Sequence, residues 1–530
     1  MREASFELFR EHGMTTVFGN PGSTELPMLA EFPEDFTYVL GLQEAVAVGM
    51  ADGYAQSLGR PAHVNLHTAP GLGNAMGAIF NAYANHSPLL VTAGQQARRL
   101  ITPQANLTNR DATRMPHPVV KSSFEPPRAA DVPLALARAI HLASLPPLGP
   151  TFVSIPMDDW DAEADEHYTA PAIARSVEGR AAPEPASVAE LARRLESASA
   201  PALVAGPDID ASGGWDAAVA LAERQRLPVF AVPAPGGGRI GFPEGHELYR
   251  GALPPAIGPL GEMLAPFDLV LVVGSSVFPY YPNIPGPLLA EGTGLVQITS
   301  DPDEASRAPM GDAIVADVRL ALEALVAELD ESERDPGAAL PEPEPGPEQD
   351  PITPTAALNA LREVFPEDGI VVLESPSATL ALRNQLRISR PGSYFFGAGG
   401  GLGFGLAAAV GVGVAQPDRP VVCVVGEGSA QYAITALWSA AAYSVPVTFL
   451  VLRNSEYAIL KWFAEIESVT GAPGLELPSL SCVEVAAGYG VASREVSGGR
   501  EEIVEALRDA IAAGEPRLLE VPVAPGMWLF

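Results

Sequence analysis

Five residues able to do chemistry stand where a strand pattern in this chain breaks off: Ser23, Glu44, His67, Glu427 and Asn454. Residues 421–457 read VVCVVGEGSAQYAITALWSAAAYSVPVTFLVLRNSEY. The β-branched and apolar runs 421–425 and 447–452 are separated by a helical pattern, which predicts strand, turn, helix, strand. In such a unit both strands end at one crevice, the place where open α/β sheets bind ligands. Glu427, held between Gly426 and Gly428, is therefore expected to meet Asn454. A carboxylate, an amide oxygen and backbone carbonyls are hard ligands, suited to a Mg²⁺ ion that keeps water and bridges a diphosphate. The glycines let backbone N–H groups approach phosphate oxygens.

The elements that must hold these groups follow the same rule. Strand patterns at 16–18, 37–40 and 62–66 lead into Ser23, Glu44 and His67, with helical patterns starting at Glu25 and spanning 45–57. Each residue alone has an ordinary reading, as a turn or N-cap serine, a first-turn acid or a satisfied histidine. Their common placement at strand ends is what points to a site. Further strands at 89–92 and 151–155 complete a first α/β domain, 1–180. A second, 183–330, has strands at 202–205, 229–232, 269–273 and 294–298. Gly274-Ser275-Ser276 follows one of them without a GxGxxG, so a dinucleotide site is not expected there. Residues 331–352 are an acidic, Pro-rich linker, expected to be extended and solvated. The third domain, 353–530, opens with a helix at 356–364 and a strand at 369–373, and has a glycine-rich turn at 397–403 before the unit described first. A helix at 500–513 and a strand at 517–521 close it. The fold class read from this alternation is α/β, with three doubly wound parallel-sheet domains.

Composition narrows the function classes. Sixty-four acids against 32 basic residues give a net charge of −32, a field that repels nucleic acid and anionic membranes. No apolar run has the length of a membrane span, and the amphipathic opening lacks a signal peptide's apolar region, so a cytoplasmic enzyme is expected. The two cysteines, Cys423 and Cys482, support neither a disulfide framework nor a zinc site.

The segments FGNPGSTELP (18–27), LQEAVAVGMADGYAQ (42–56), NLHTAPGLGNAMGA (65–78), SPLLVTAGQQ (87–96), PGSYFFGAGGGLGFGLAAAVG (391–411) and LKWFA (460–464) span the chain in register. With them the chain resembles the benzoylformate decarboxylase-like branch of the thiamine diphosphate-dependent 2-oxo acid decarboxylases. The resemblance implies a pyrimidine-binding first domain, a central domain and a diphosphate-binding third domain. It implies thiamine diphosphate with Mg²⁺, or Ca²⁺, and non-oxidative decarboxylation of benzoylformate or a smaller 2-oxo acid to an aldehyde and CO₂. By the same resemblance Glu44 activates the cofactor, Leu402 props it, and Gly426, Gly428, Ser429, Asn454 and Tyr457 hold it. Glu427, Asn454 and the backbone carbonyl of Glu456 bind the metal, His67 transfers protons, and Ser23 holds the substrate carboxylate. Asn106, Tyr281, Pro376, Phe396, Ile459 and Phe463 form the substrate pocket.

Some positions depart from the family pattern. Glu427 replaces an aspartate, Arg453-Asn454 replaces Asn-Asn, and Tyr281 stands where a second histidine is usual. A phenol is a poor proton shuttle near neutrality. Ile459, Pro376 and Asn106 replace alanine, threonine and leucine, and a branched side chain shrinks a pocket. Slow protonation would favour a second activity, carboligation to 2-hydroxy ketones as in acetolactate synthases. A non-catalytic cofactor-binding homologue is the third reading. The family builds its site between the first domain of one subunit and the third of another, which implies a homo-oligomer, at least a dimer and expected as a tetramer.

Overall fold

Val421–Gly426 and Val447–Arg453 are buried along almost their whole length. Strands buried on both faces belong to parallel sheets covered by helices. The computed structural model describes residues 1–233, 238–347 and 349–528, and in it every strand pairing in three six-stranded sheets is parallel. Position 348 of the linker lies outside the described residues.

The first sheet holds β1 (Thr16–Asn20), β2 (Thr37–Leu40), β3 (Ala62–Leu66), β4 (Leu89–Gln95), β5 (Ser122–Phe124) and β6 (Thr151–Pro156), in the order β2-β1-β3-β4-β6-β5. The second holds β7 (Pro201–Ala205), β8 (Val229–Ala231), β9 (Tyr249–Ala252), β10 (Leu269–Val273), β11 (Gly294–Thr299) and β12 (Asp312–Val315), in the order β12-β11-β10-β7-β8-β9. The third holds β13 (Ile370–Glu374), β14 (Tyr394–Phe396), β15 (Val421–Gly426), β16 (Val447–Arg453), β17 (Ala492–Glu495) and β18 (Arg517–Pro522), in the order β14-β13-β15-β16-β18-β17. All three are doubly wound, as the alternation of patterns implies.

The structure differs from the sequence expectation in four places. The strands β5, β9, β12, β14 and β17 were not expected, and each is a short strand at a sheet edge. The helix expected from Glu25 is a single turn, Leu26–Leu29, because Glu25 turns inward. The helix expected after Gly428 is broken into Glu427–Ala430, a 3₁₀ turn Gln431–Ala433 and Ala436–Ala442. The linker is extended but not free. Arg334 donates to the carbonyls of Leu195 (2.6 Å) and Ala198 (3.2 Å), and Gln385 of the third domain donates to the Glu344 carbonyl at 2.6 Å.

The first and third domains share one core. A continuous buried cluster runs from Phe18, Val46 and Val91 through Leu406 and Ala408 to Val425 and Val451. Its centre is the contact of the Glu44–Leu58 helix with the Gly405–Ala415 helix, where Gly53 lies against the Ala408 backbone and Gly411 against the Met50 carbonyl. The second sheet has its own buried clusters. It is fastened to the third domain by a buried ion pair, Arg383 with Glu244 at 2.6 Å, which also accepts from the Tyr249 hydroxyl and the Ile388 N–H. Among the described residues no helix is long and apolar enough to cross a membrane.

Candidate active site

The register Gly426↔Leu452 between β15 and β16 brings the two strand ends together, as a βαβ unit requires. Glu427 is buried, and its Oε1 accepts the Ser455 N–H at 2.6 Å. Asn454 caps its own turn, its Oδ1 accepting the Glu456 N–H at 3.1 Å. The antiparallel bridge between Glu456 and Glu476 uses the carbonyls of Ser455 and Leu475, not that of Glu456. The Glu456 carboxylate is turned away, onto Lys461 and the Gly526 N–H. Tyr457 packs its ring on Gly428, where a Cβ would lie 2.7 Å from the ring. Ser429 is buried, and its hydroxyl and that of Ser375 flank Gly426.

This half-site fits a divalent cation. Burial pushes the Glu427 carboxyl up from its ordinary value, with nearby Glu520 pushing the same way. A buried carboxylate without a cation is costly, and none of the ion pairs among the described residues includes Glu427. Arg453, the cation the sequence places beside the site, is paired with Glu495 at 2.5 Å and Glu520 at 2.8 Å. Hard oxygens and an unbalanced buried acid are the donor set that Mg²⁺ takes.

Leu402 sits half-buried in the glycine-rich turn, which is held from both sides. Asn81 of the first domain donates to the Gly401 carbonyl at 2.7 Å and accepts the Gly401 N–H at 3.0 Å. Glu374 of the third accepts the N–H groups of Gly403, Phe404 and Gly405 at 2.8, 3.0 and 3.0 Å. Burial pushes the Glu374 carboxyl up to about 7 against those three donors.

In the first domain, Glu44 opens its helix and is buried, its Oε2 accepting from Asn74 Nδ2 at 3.1 Å. His67 immediately precedes the Thr68–Ala84 helix. The two meet across Gly71, where a Cβ would lie 3.1 Å from Glu44 Oε1 and 3.3 Å from His67 Cβ. Ser23 is exposed in the turn after β1. Behind it, Thr24 and Glu25 are buried, and the Glu25 carboxylate faces His67 Nδ1 at 2.8 Å.

The pocket residues divide. Tyr281 of the middle domain and Phe463 of the Ala458–Ile466 helix stack with centroids 4.6 Å apart at 37°. Ile459 lies on the same helix, and the turn Pro376–Ala378 packs against it. Phe396 ends β14, half-buried. Asn106 is exposed, its carbonyl accepting from Gln96, and no hydrogen bond or ring contact joins it to the others among the described residues. Among the described residues nothing of that kind joins Ser23, Glu44 or His67 to Glu427, Asn454 or Tyr457 either.

Glu25, Asn74, Asn81 and Glu374 are the positioning residues that sequence reasoning passed over. The one usable signal was a polar residue at a helix start or strand end, as for Glu25 and Glu374.

Three domain descriptions match the chain. Residues 1–115 match the thiamine pyrophosphate enzyme N-terminal TPP binding domain, 188–325 the central domain and 377–521 the C-terminal TPP binding domain. The chain belongs to the thiamine pyrophosphate enzymes. It is 50% identical over 526 residues, 98% of each chain, to a benzoylformate decarboxylase of Pseudomonas aeruginosa. The solved structure of benzoylformate decarboxylase from Polynucleobacter necessarius superposes with a TM-score of 0.96 at 40% identity, covering 100% of this chain and 99% of that one. The thiamine diphosphate-dependent 4-hydroxybenzoylformate decarboxylase of Rhodococcus jostii RHA1 does so with 0.96 at 44%, again covering 100% and 99%.

Proposed function

We propose that the chain decarboxylates a 2-oxo acid, benzoylformate or a smaller relative, to an aldehyde and CO₂. The carrying observation is the meeting of Glu44 and His67 across Gly71, with Glu44 Oε1 uncommitted. Thiamine diphosphate supplies the electron sink that no side chain offers. Glu427, Asn454 and the Glu456 carbonyl would hold its Mg²⁺, with Ca²⁺ as a substitute. Gly426, Gly428, Ser429 and Tyr457 would line its diphosphate, and Leu402 its bend. Glu44 holds a proton toward the cofactor's pyrimidine, Ser23 binds the substrate carboxylate, and His67 moves protons at the reacting carbon. The tilted Tyr281–Phe463 ring pair offers an aromatic wall to the substrate's side chain, with Phe396, Pro376 and Ile459 bounding the remaining space. Asn106 would enter this pocket only from a neighbouring subunit.

That no hydrogen bond or ring contact links the Glu44–His67 group to the Glu427–Asn454 group among the described residues supports reading them as halves of a site shared between subunits, in a homo-oligomer, at least a dimer and by our reading a tetramer. So does exposed apolar surface at Leu42 (42%), Phe80 (44%), Tyr83 (43%) and Tyr432 (57%). The same reading divides the chain at 1–180, 183–330 and 353–530 around the 331–352 linker, and places it in the cytoplasm. Tyr281 favours a second activity, carboligation, because it leaves protonation to fewer groups.

The test is CO₂ release by purified protein with thiamine diphosphate and Mg²⁺ on benzoylformate, pyruvate and branched 2-oxo acids. Benzoylformate should lead, and Glu44→Gln should cut turnover at least ~10²-fold. No release from any acid would overturn the reading. Product analysis with an added aldehyde measures the ligase share.

A further inference from the structure

Glu25 is 1% exposed, and each of its oxygens faces two partners. Oε1 accepts the Gly94 N–H at 2.9 Å and the Thr24 hydroxyl at 2.7 Å, while Oε2 accepts the Gly22 N–H at 2.8 Å and lies 2.8 Å from His67 Nδ1. Backbone N–H groups only donate, so this carboxylate has only an acceptor's role. The hydrogen between Glu25 and His67 therefore sits on Nδ1. Thr24 leads to the same assignment. Its hydroxyl hydrogen goes to Glu25, so toward His67 Nδ1, 3.2 Å away, its oxygen is left to accept. Gly22 backs the ring so closely that a Cβ there would lie 2.1 Å from Nδ1. The remaining nitrogen, Nε2, has no partner among the described residues, and the side chain is 20% accessible.

We propose that Glu25 is a positioning residue that makes His67 a shuttle working through Nε2 alone, and that this pair carries the protonation which Tyr281 cannot. The proposal rests on the decarboxylase reading above. When CO₂ leaves, its former bonding pair stays with the substrate carbon. Protonated His67 gives its Nε2 proton to that carbon, so a C–H bond forms and the N–H pair remains on Nε2. The Nδ1–H bond to Glu25 is kept throughout, and water restores the proton on Nε2. The carboxylate compensates the imidazolium before transfer and holds the ring in one tautomer afterwards.

The experiment uses the holoenzyme with Mg²⁺ and benzoylformate, with and without an added acceptor aldehyde. It compares Glu25→Gln, Glu25→Asp and His67→Ala with wild type. In Glu25→Gln an amide NH₂ must face former donors, so kcat should fall ~10²-fold and KM with it, leaving kcat/KM within about 3-fold, because the slowed step follows the loss of CO₂. The alkaline limb of the kcat profile should move to lower pH, and products should shift about 10-fold toward 2-hydroxy ketone, as slowed protonation requires. Glu25→Asp should recover part of each change. A Glu25→Gln enzyme with the wild-type pH profile and product ratio, whatever its rate, would overturn the proposal. Should that variant fail to bind the cofactor, Thr24→Val tests the same bonding, with a smaller shift in product ratio expected and an unchanged ratio counting against it. If wild type releases no CO₂, the decarboxylase reading fails by itself. The tautomer is then read from ¹⁵N-histidine spectra, with Nδ1–H expected for His67 in wild type and Nε2–H in Glu25→Gln. An Nε2–H wild type would overturn the assignment.

Discussion

Arg453 shows how little a residue's charge says until its partners are known. In the sequence it stands beside the expected metal site, yet Glu495 and Glu520 draw it off, and Glu427 is in no ion pair among the described residues. His63 makes a comparable point about stability. It lies fully buried in β3, its Nε2 2.8 Å from the Thr92 hydroxyl, and burial pushes it down to about 3 from an ordinary 6.5. Between those two values the unfolded chain holds a proton that the folded chain does not. The contribution is therefore complete above the unfolded value and is lost as pH falls toward the folded one. His63→Gln should flatten this acid limb by up to ~1.4 kcal/mol per pH unit, as urea titrations from pH 7 downward would record. The places of Ser23, Glu44, His67, Glu427 and Asn454 were legible because strand ends announce themselves in sequence. Glu25, Asn74, Asn81 and Glu374 were not, since what distinguishes a buried polar side chain is a partner distant in the chain, and no local pattern encodes that partner.

At the scale of elements, the central strands were legible, but of the six edge strands only β2 was. Buried runs such as Val421–Gly426 carry a dense apolar signal, whereas Ala492–Glu495 and Asp312–Val315 are largely exposed on their faces and read as loop. The helix after Gly428 was over-read because small residues satisfy any helical pattern while deciding little about where it breaks. The middle domain holds the third through the Glu244–Arg383 pair, with side chains 0% and 5% exposed, beside Trp215 and Ile240 packed in the third domain's core. Glu244→Ala leaves a buried guanidinium without its partner and should cost about 3–5 kcal/mol in chemical denaturation. Replacing both residues by apolar ones of similar volume should recover most of that loss. A single variant as stable as wild type would show that the domains are held elsewhere.

At the scale of the molecule, the proposed homo-oligomer would form against a charge of −32 on every chain. At about 10 mM salt the screening length is ~30 Å and at about 150 mM it is ~8 Å, so repulsion between subunits fades across that range. Sedimentation should find multiples of the 55.3 kDa chain, with the larger species gaining as salt rises. Phe80→Asp, placed on exposed apolar surface, should shift the distribution to monomer and abolish cofactor-dependent turnover together. A fully active monomer would refute the two-half-site reading. The three-domain plan was visible in the sequence, but the merging of the first and third cores was not, because patterning marks which residues are buried and is silent on which neighbour buries them. That shared core also bears on recombination. The outer domains exchange buried surface at Met50–Gly411 and Gly53–Ala408, so a chimaera that takes them from different parents must mend a mismatched interior. The middle domain has clusters of its own, but it also sends Trp215 and Ile240 into the third domain's core and Arg239 onto the Gln56 carbonyl of the first, so trading it between relatives means matching those neighbours as well as giving Glu244 its arginine.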